Sequence, residues 1–326
     1  MIFSLAITGP TASGKTALSL ALAERLSCEI ISCDSMQVYQ RMDIGTAKAT
    51  ASERARVPHH LIDFLPPSES YSVESYRESA IECAREITER GKTPLFVGGT
   101  GLYIDSLMRA GASDVPGSDV EYREALLATV KTEEDAARLW ERLRSVDPES
   151  AEKIHQNNVK RVIRALEIYD KTGRTKSDFD KQSLLFNPEI YVGMITLDFH
   201  DRENLYARVD KRVDIMMAEG LYSEVETLYR EGALGDTASQ AIGYKELIEH
   251  IEGRLTLDEA IEQLKLASRR YAKRQLTWFR HERDARVIYM DDEGGVMRPT
   301  NEILAEATAI AEEFIRDFNE KKGTCQ

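Results

Sequence analysis

The chain has 326 residues, 42% of them apolar and 30% charged, the balance of a globular protein long enough to bury its core without cross-links. No run of about 18 apolar residues occurs, which argues against a helical membrane span, and the opening MIFSLAIT is too short for a secretion signal. The net charge of −13 argues against a general nucleic-acid binder but leaves room for a local basic groove.

Ile2 to Ile7 is apolar except for Ser4 and predicts a strand. It runs into Gly9, Pro10, Thr11, Ala12, Ser13, Gly14, Lys15 and Thr16, a full match to GxxxxGK[ST], and Ala17–Leu26 then reads as a helix. In that context the glycines let backbone N–H groups wrap an anion, and the helix N-terminus adds favourable partial charge. Lys15 can reach terminal phosphates and the Thr16 hydroxyl can ligate Mg²⁺. The motif leaves open which polyphosphate binds and whether a phosphate is transferred.

Glu29 to Cys33 predicts a second strand, and Asp34 stands just past its C-terminal end. In a parallel sheet that edge is where ligands bind. Three roles are open for Asp34: an indirect Mg²⁺ ligand, a general base, or the N-cap of a following helix. Gln37 either pairs with an adenine edge through its amide or faces solvent. His59 and His60 suggest a metal, but adjacent histidines rarely converge on one ion, and a structural role is the better reading. The four cysteines, Cys28, Cys33, Cys83 and Cys325, form no CxxC pair and no zinc spacing, so the expected compartment is a reducing cytoplasm.

Pro94–Val97 predicts a third strand, followed by Gly98, Gly99 and Thr100. From residue 114 to 188 the strand signals stop. Ser118 with Glu121, Thr132 with Asp135, and Asp147 before Pro148 read as helix starts. Val159, Ile163, Leu166 and Tyr169 recur at helical spacing until Gly173. Tyr191–Leu197 and Arg286–Met290 supply two more strands. Between them Leu205, Val209, Val213 and Met216 form one stripe. Thr256 and Glu259 open a long helix with Ile261, Leu264, Tyr271 and Trp278 near one face. The expected fold is therefore α/β: a P-loop NTPase-like parallel sheet flanked by helices, at least five strands wide, over residues 1–113 and 189–326. Residues 114–188 form an expected α-helical insertion domain.

Read together, GPTASGKT, DSMQVYQRMDIGTAK, PHHLID, FVGGTGLY, IHQNNVKRVIRALEI, QAIGYKE and RRYAKRQLTWFR resemble the tRNA dimethylallyltransferases, also called tRNA isopentenyltransferases. The blocks run from Gly9 to about Arg280. The resemblance implies transfer of a dimethylallyl group from its diphosphate to N6 of the adenosine just 3′ of the anticodon. The phosphate loop would hold diphosphate rather than turn over ATP, with Mg²⁺ as cofactor. It places Asp34 on the general base, and Thr100 and Arg208 near the diphosphate. It also places tRNA contacts at Asp34, Ser35, Met36, Gln37 and Thr100, at Asn157, Asn158, Val159, Lys160 and Arg161, and at Gln240, Ala241, Ile242, Gly243, Tyr244 and Lys245. A cytoplasmic monomer is expected. Unlike members with a C-terminal zinc finger, this chain has only Cys325 near its end.

Two basic clusters stand out in the acidic chain. From Ser268 to Arg283 lie Arg269, Arg270, Lys273, Arg274, Arg280 and Arg283, opposed only by Glu282. Lys160, Arg161 and Arg164 form the second, after Asn157 and Asn158, which can cap a helix or meet phosphate. Each is either a solvated face paired with distant acids or a contact for an RNA hairpin. On residues alone, Thr100 also reads as a turn residue and Arg208 as a surface arginine. Two other functions compete: a small-molecule enzyme such as a kinase or adenylate isopentenyltransferase, and a non-catalytic RNA-binding switch. The basic clusters oppose the first, and the complete loop with Asp34 opposes the second.

Overall fold

The computed structural model describes residues 1–109, 117, 119–182, 186–282 and 284–324. It falls into two compact units, Met1–Leu107 with Glu189–Gln326, and Met108–Pro188. In the first, six strands form one parallel sheet: β1 (Ile2–Thr8), β2 (Cys28–Ser32), β3 (His59–His60), β4 (Thr93–Gly98), β5 (Ile190–Asp198) and β6 (Arg286–Tyr289), in the order β3-β2-β4-β1-β5-β6. Five of these coincide with the apolar runs. The sixth, β3, is two histidines after Pro58, and only its pairing to Ile30 and Ile31 makes it a strand.

β1 lies at the centre, and Ser4 through Thr8 are fully buried. Its polar side chains are satisfied by β5: Ser4 Oγ donates to the Tyr191 carbonyl at 2.8 Å, and the Thr8 and Thr196 hydroxyls meet at 2.7 Å. The helices of this unit before the insertion are α1 (Lys15–Leu26), α2 (Ala51–Arg56), α3 (Val73–Glu89) and α4 (Gly101–Met108). Leu5, Ile7, Leu95 and Ile195 pack with Leu18 and Leu22 of α1 in the main core. Cutting Leu5 back to alanine there would cost about 2–5 kcal/mol.

The second unit is helical: α5 (Val120–Ala128), α6 (Glu133–Val146), α7 (Pro148–Lys153), α8 (Val159–Thr172) and α9 (Lys176–Gln182). Leu139, Leu143, Ile154, Val162, Ile163 and Leu166 form its own core. Thr132 and Asp135 make a reciprocal capping box, and Asp147 caps α7 by accepting from the Ser150 N–H. Ser118 and the expected boundary at residues 113 and 114 lie outside the described residues; Asp119 is the cap of α5, accepting from the Tyr122 N–H. Asn158 occupies the α8 cap position without a capping side-chain bond. The buried face of α8 is centred on Val162, Ile163 and Leu166, so Val159 and Tyr169 flank the core rather than fill it.

The remaining helices belong to the first unit: α10 (Arg202–Glu219), α11 (Leu221–Arg230), α12 (Tyr244–Ile251), α13 (Leu257–Phe279) and α14 (Thr300–Thr324). Ile303, Ala307 and Ala311 of α14 join the main core beside α1. A second core joins Val38, Tyr39 and Met42 to Val213, Leu221, Tyr244 and Leu264. On α13 the buried residues are Ala260, Leu264, Ala272, Gln275, Leu276 and Phe279, whereas Trp278 is 39% exposed and Tyr271 half-buried. The apolar face is thus rotated from the one that Tyr271 and Trp278 suggest. No described helix is long and apolar enough to cross a membrane.

Candidate active site

Because all six strands are parallel, the segments after β1, β2 and β4 leave the sheet at one edge. The segment after β1 is the phosphate loop. Gly9 takes φ +138°, and a Cβ there would stand 2.8 Å from the Leu197 carbonyl oxygen, so only glycine lets the loop turn beside β5. Ala12 is also left-handed, at φ 61°. α1 begins immediately after Gly14 and has no acidic residue in its first turn, which keeps its N-terminus favourable for an anion. Lys15 Nζ donates to the carbonyls of Gly9 (3.0 Å) and Pro10 (2.7 Å). Ser13 Oγ is buried, has no hydrogen-bond partner among the described residues, and lies in the cavity wall.

That cavity has a volume of about 740 Å³ and takes in the loop, Asp34, Gln37, Arg208, Tyr271 and Gln275. Its aliphatic wall includes Ile30, Val97, Val213, Met216 and Leu264. Asp34 does not cap a helix, because the chain after it runs through turns. Its Oδ1 accepts the Met36 N–H at 2.9 Å. Burial raises the Asp34 carboxyl above its usual range; N–H groups of Met36 and Gln37 and the charge of Lys15 oppose the rise without cancelling it. Burial likewise pushes Lys15 down to about 8, against the attraction of Asp34.

Gln37 neither faces solvent nor leaves its amide free. Its Nε2 donates to the carbonyls of Thr46 (3.1 Å) and Ala47 (3.4 Å), and its Oε1 accepts from Ser32 Oγ (3.1 Å). The same 43–47 loop is clasped from α11. Glu224 accepts the N–H groups of Asp43, Ile44 and Gly45 at 2.8–3.0 Å and the Tyr244 hydroxyl at 2.5 Å. Tyr244 is therefore fully buried and packs under Gly45, where a Cβ would come within 2.5 Å of its ring. This corrects the expectation that Tyr244 touches RNA. Within the same motif Ala241 and Gly243 are buried too, yet Gln240, Ala241, Ile242 and Gly243 line the cavity, and Lys245 is exposed.

The segment after β4 reads as three clearances and one hydroxyl. A Cβ on Gly98 would fall 2.2 Å from the Cys33 carbonyl oxygen, one on Gly99 2.1 Å from Gln275 Nε2, and one on Gly101 2.5 Å from Trp278 Cδ1. Thr100 donates its N–H to the Cys33 carbonyl at 3.1 Å, and its Oγ1 accepts the Ser35 N–H at 3.1 Å. Thr100 is not in the cavity wall; it stands behind Ser35 and fixes the strand end that carries Asp34. Arg208 extends from α10, and its Nε donates to the Ala12 carbonyl at 2.8 Å. It is a clamp on the loop rather than a solvated arginine.

Two cavity residues to which the sequence reading gave no part in the site, Tyr271 and Gln275, come from α13, beside Arg274 of the basic cluster. Tyr271, Arg274, Gln275 and Trp278 recur at i, i+3, i+4 and i+7, so they share one face. Burial pushes the Tyr271 phenol up to about 12, reinforced by the charge of Asp34, and its hydroxyl meets Thr100 and Gln275. Arg274 lies 5.6 Å from the Tyr271 ring centre. Of the basic cluster on this helix, Arg269 pairs with Asp210 at 2.6 Å and Arg280 with buried Asp198 at 2.8 Å. Arg270, Lys273 and Arg274 remain exposed, and Arg283 lies outside the described residues. In the second unit Arg164 pairs with fully buried Glu167 at 2.8 Å, whereas Asn157, Asn158, Lys160 and Arg161 are exposed. His59 and His60 contact the Val57 carbonyl and Glu29 respectively, and no cluster of three metal-ligating side chains occurs among the described residues.

Against known proteins, residues 37–282 match the family described as IPP transferase, and residues 3–61 match Isopentenyl transferase. The chain belongs to the IPP transferase family. A tRNA dimethylallyltransferase of Bacillus cereus is 51% identical over 300 residues, covering 91% of this chain and 92% of that protein. One from Anoxybacillus flavithermus is 49% identical over 302 residues, covering 91% and 94%. Among solved structures, the full-length tRNA isopentenylpyrophosphate transferase of Bacillus halodurans superposes with a TM-score of 0.73 at 40% identity, covering 99% of this chain and 100% of that one. A eukaryotic dimethylallyltransferase acting on tRNA superposes at 0.80 and 29% identity, covering 97% and 80%. In this IPP transferase, then, the P-loop, Asp34 and Arg208 line one cavity on a fold shared with tRNA-modifying relatives.

Proposed function

We propose that the chain transfers a dimethylallyl group from dimethylallyl diphosphate to N6 of the adenosine 3′-adjacent to the anticodon of a tRNA. The observation that carries the reading is the single cavity joining an anion-binding loop to a carboxylate of raised proton affinity, in a member of the IPP transferase family. The diphosphate lies on the loop, against the N-terminus of α1, Lys15 and Arg208. The prenyl tail lies along the aliphatic wall, and the adenine enters beside Asp34.

In the reaction the allylic C–O bond breaks and an N–C bond forms. Negative charge grows on the departing diphosphate, where Lys15, Arg208 and the loop N–H groups stabilise it. The amine becomes acidic as the new bond forms, and Asp34 within hydrogen-bond reach takes the proton. Mg²⁺ fits the donor set: the Thr16 hydroxyl, the orphaned Ser13 hydroxyl and diphosphate oxygens are hard ligands, and Mg²⁺ favours few protein oxygens with phosphates and waters. When bound, it would neutralise charge on the leaving group. Exposed Gln240 and Lys245, and Lys160 and Arg161 of the insertion, are the proposed tRNA contacts. The proposed active form is a cytoplasmic monomer.

Labelled dimethylallyl diphosphate incubated with bulk tRNA tests the reading. Label recovered in a digest as N6-isopentenyladenosine supports it. Label transferred only to free adenosine nucleotides assigns a small-molecule acceptor, and ATP hydrolysis without prenyl transfer overturns it.

A further inference from the structure

We propose that Gln275 is a positioning residue that sets the separation between the donor-binding loop and the edge carrying the base. The proposal rests on the functional reading above and extends it to a side chain outside the reacting groups. Gln275 is 5% exposed, and both ends of its amide are engaged. Oε1 accepts the Thr11 N–H at 2.8 Å, and Nε2 donates to the Gly99 carbonyl at 2.9 Å. Those partners belong to the loops that leave β1 and β4, neighbouring strands whose last ladder pair is Thr8 with Gly98.

Past that pair the ladder stops, and the amide links the two loops. The bridge continues through the next residue. Thr100 binds the Ser35 N–H and the Cys33 carbonyl, and Asp34 lies between them. A continuous path therefore runs from the phosphate loop through Gln275, Gly99 and Thr100 to Asp34. One amide, held at both ends, sets its length, and a Cβ on Gly99 would stand 2.1 Å from its Nε2.

A strut of this kind acts on the alignment of two bound partners, not on the binding of either. A misplacement of about 1 Å between reacting groups costs on the order of 10²-fold in rate. Gln275→Ala should therefore lower kcat by about 10²-fold. Affinity for inorganic pyrophosphate, read by calorimetry, and for tRNA, read by filter binding, should stay within about three-fold because each loop keeps its own contacts. Gly99→Ala pushes the amide from the other side and should show the same pattern. In the Gln275→Ala background it should add little, because the collision is gone.

Gln275→Glu adds a pH-dependent readout. Its carboxylate keeps the acceptor for Thr11 but faces the Gly99 carbonyl without a proton, whereas its protonated form restores both bonds. The ratio of its kcat to that of the unaltered enzyme should rise as pH falls. The other titratable and charged groups lining the cavity, Lys15, Asp34, Glu53, His59, Arg208, Lys211, Arg212, Tyr271 and Arg274, are present in both proteins, so the ratio removes the titration they share.

A wild-type protein that transfers no prenyl group fails the functional reading itself. With an active wild type, three results overturn the strut. One is unchanged kcat in Gln275→Ala. Another is a parallel loss of pyrophosphate affinity, which would make Gln275 a mere support for the loop. The third is a loss of tRNA affinity with kcat kept, which would make it an RNA contact.

Discussion

Lys15 and Asp34 face one cavity as opposite charges, and each resists the shift that burial imposes on the other. Burial pushes Lys15 down to about 8 and Asp34 up, while their attraction works against both. On the proposed function, a diphosphate on the loop would give Lys15 a stronger partner and strip Asp34 of part of its counter-charge. The carboxylate would then be a better proton acceptor with the donor in place.

Asp34→Asn should lower prenyl transfer by about 10²–10⁴-fold, the range for a removed general base. tRNA affinity should change only a few-fold, because asparagine keeps the size and the acceptor for the Met36 N–H. Because the Asp34 pKa is raised, the acid limb of kcat/KM should lie above 3.8, the ordinary aspartate value. Activity rises with pH through that limb as the base loses its proton. A retained rate with weakened Mg²⁺ dependence would make Asp34 a metal-shell residue.

Binding of pyrophosphate should take up a proton at alkaline pH. Above about 8 part of Lys15 is neutral in the free protein, and an anion against it raises its pKa again. Calorimetry at pH 8.5 in buffers of different ionisation enthalpy measures the uptake. Lys15→Ala should remove the uptake, weaken the donor and spare tRNA binding.

Lys160 and Arg161 should carry salt-dependent tRNA binding, and Arg164 should not. Each lost phosphate contact flattens the log–log salt slope by roughly 0.7–0.9. The double change Lys160→Ala with Arg161→Ala should show that flattening at unaltered stability. Arg164→Ala should instead cost about 1–3 kcal/mol in thermal unfolding, because it strips buried Glu167 of a charged partner. Burial alone would raise Glu167, but Arg164, the Asp119 N–H and Arg123 hold it below its ordinary 4.5. That contribution is full above 4.5 and is lost as pH falls through the depressed folded value.

Tyr244→Phe should destabilise the protein by about 1–2 kcal/mol and leave direct RNA contacts intact. It removes the hydroxyl that Glu224 accepts while that carboxylate still holds three N–H groups of the 43–45 turn. Urea denaturation reads the loss. A drop in tRNA affinity at unchanged stability would put the phenol at the RNA surface after all.

What could be read from the chain follows the range of the interactions involved. The phosphate loop is legible because it is a local spacing, and Asp34 because it sits two residues past a buried strand. β1, β2, β4 and β5 are legible because burial on both faces leaves little polar alternation, and β6 by its short apolar run although Arg286 and Val287 are exposed. Gln275 is not, since its partners lie 264 and 176 positions away and nothing near it marks it as buried. Tyr244 misleads for a related reason: it sits in a motif for its packing under Gly45. Arg164 and Arg161 look alike in sequence, and only the buried Glu167 one turn on separates an internal salt bridge from a free cation. β3 exists through its neighbour alone.

The central place of β1 also governs how the molecule can be made. Its hydroxyl at Thr8 meets Thr196, 188 positions later. At about 5–20 residues per second, synthesis leaves the first strand waiting roughly 10–40 s for that neighbour. Met108–Pro188, a compact unit with its own core, is made within that interval. The phosphate loop hangs on the end of the waiting strand. It reaches its final shape only after Leu197, Arg208 and Gln275 have arrived beside it, so the edge that carries the candidate site is among the last parts of a nascent chain to mature.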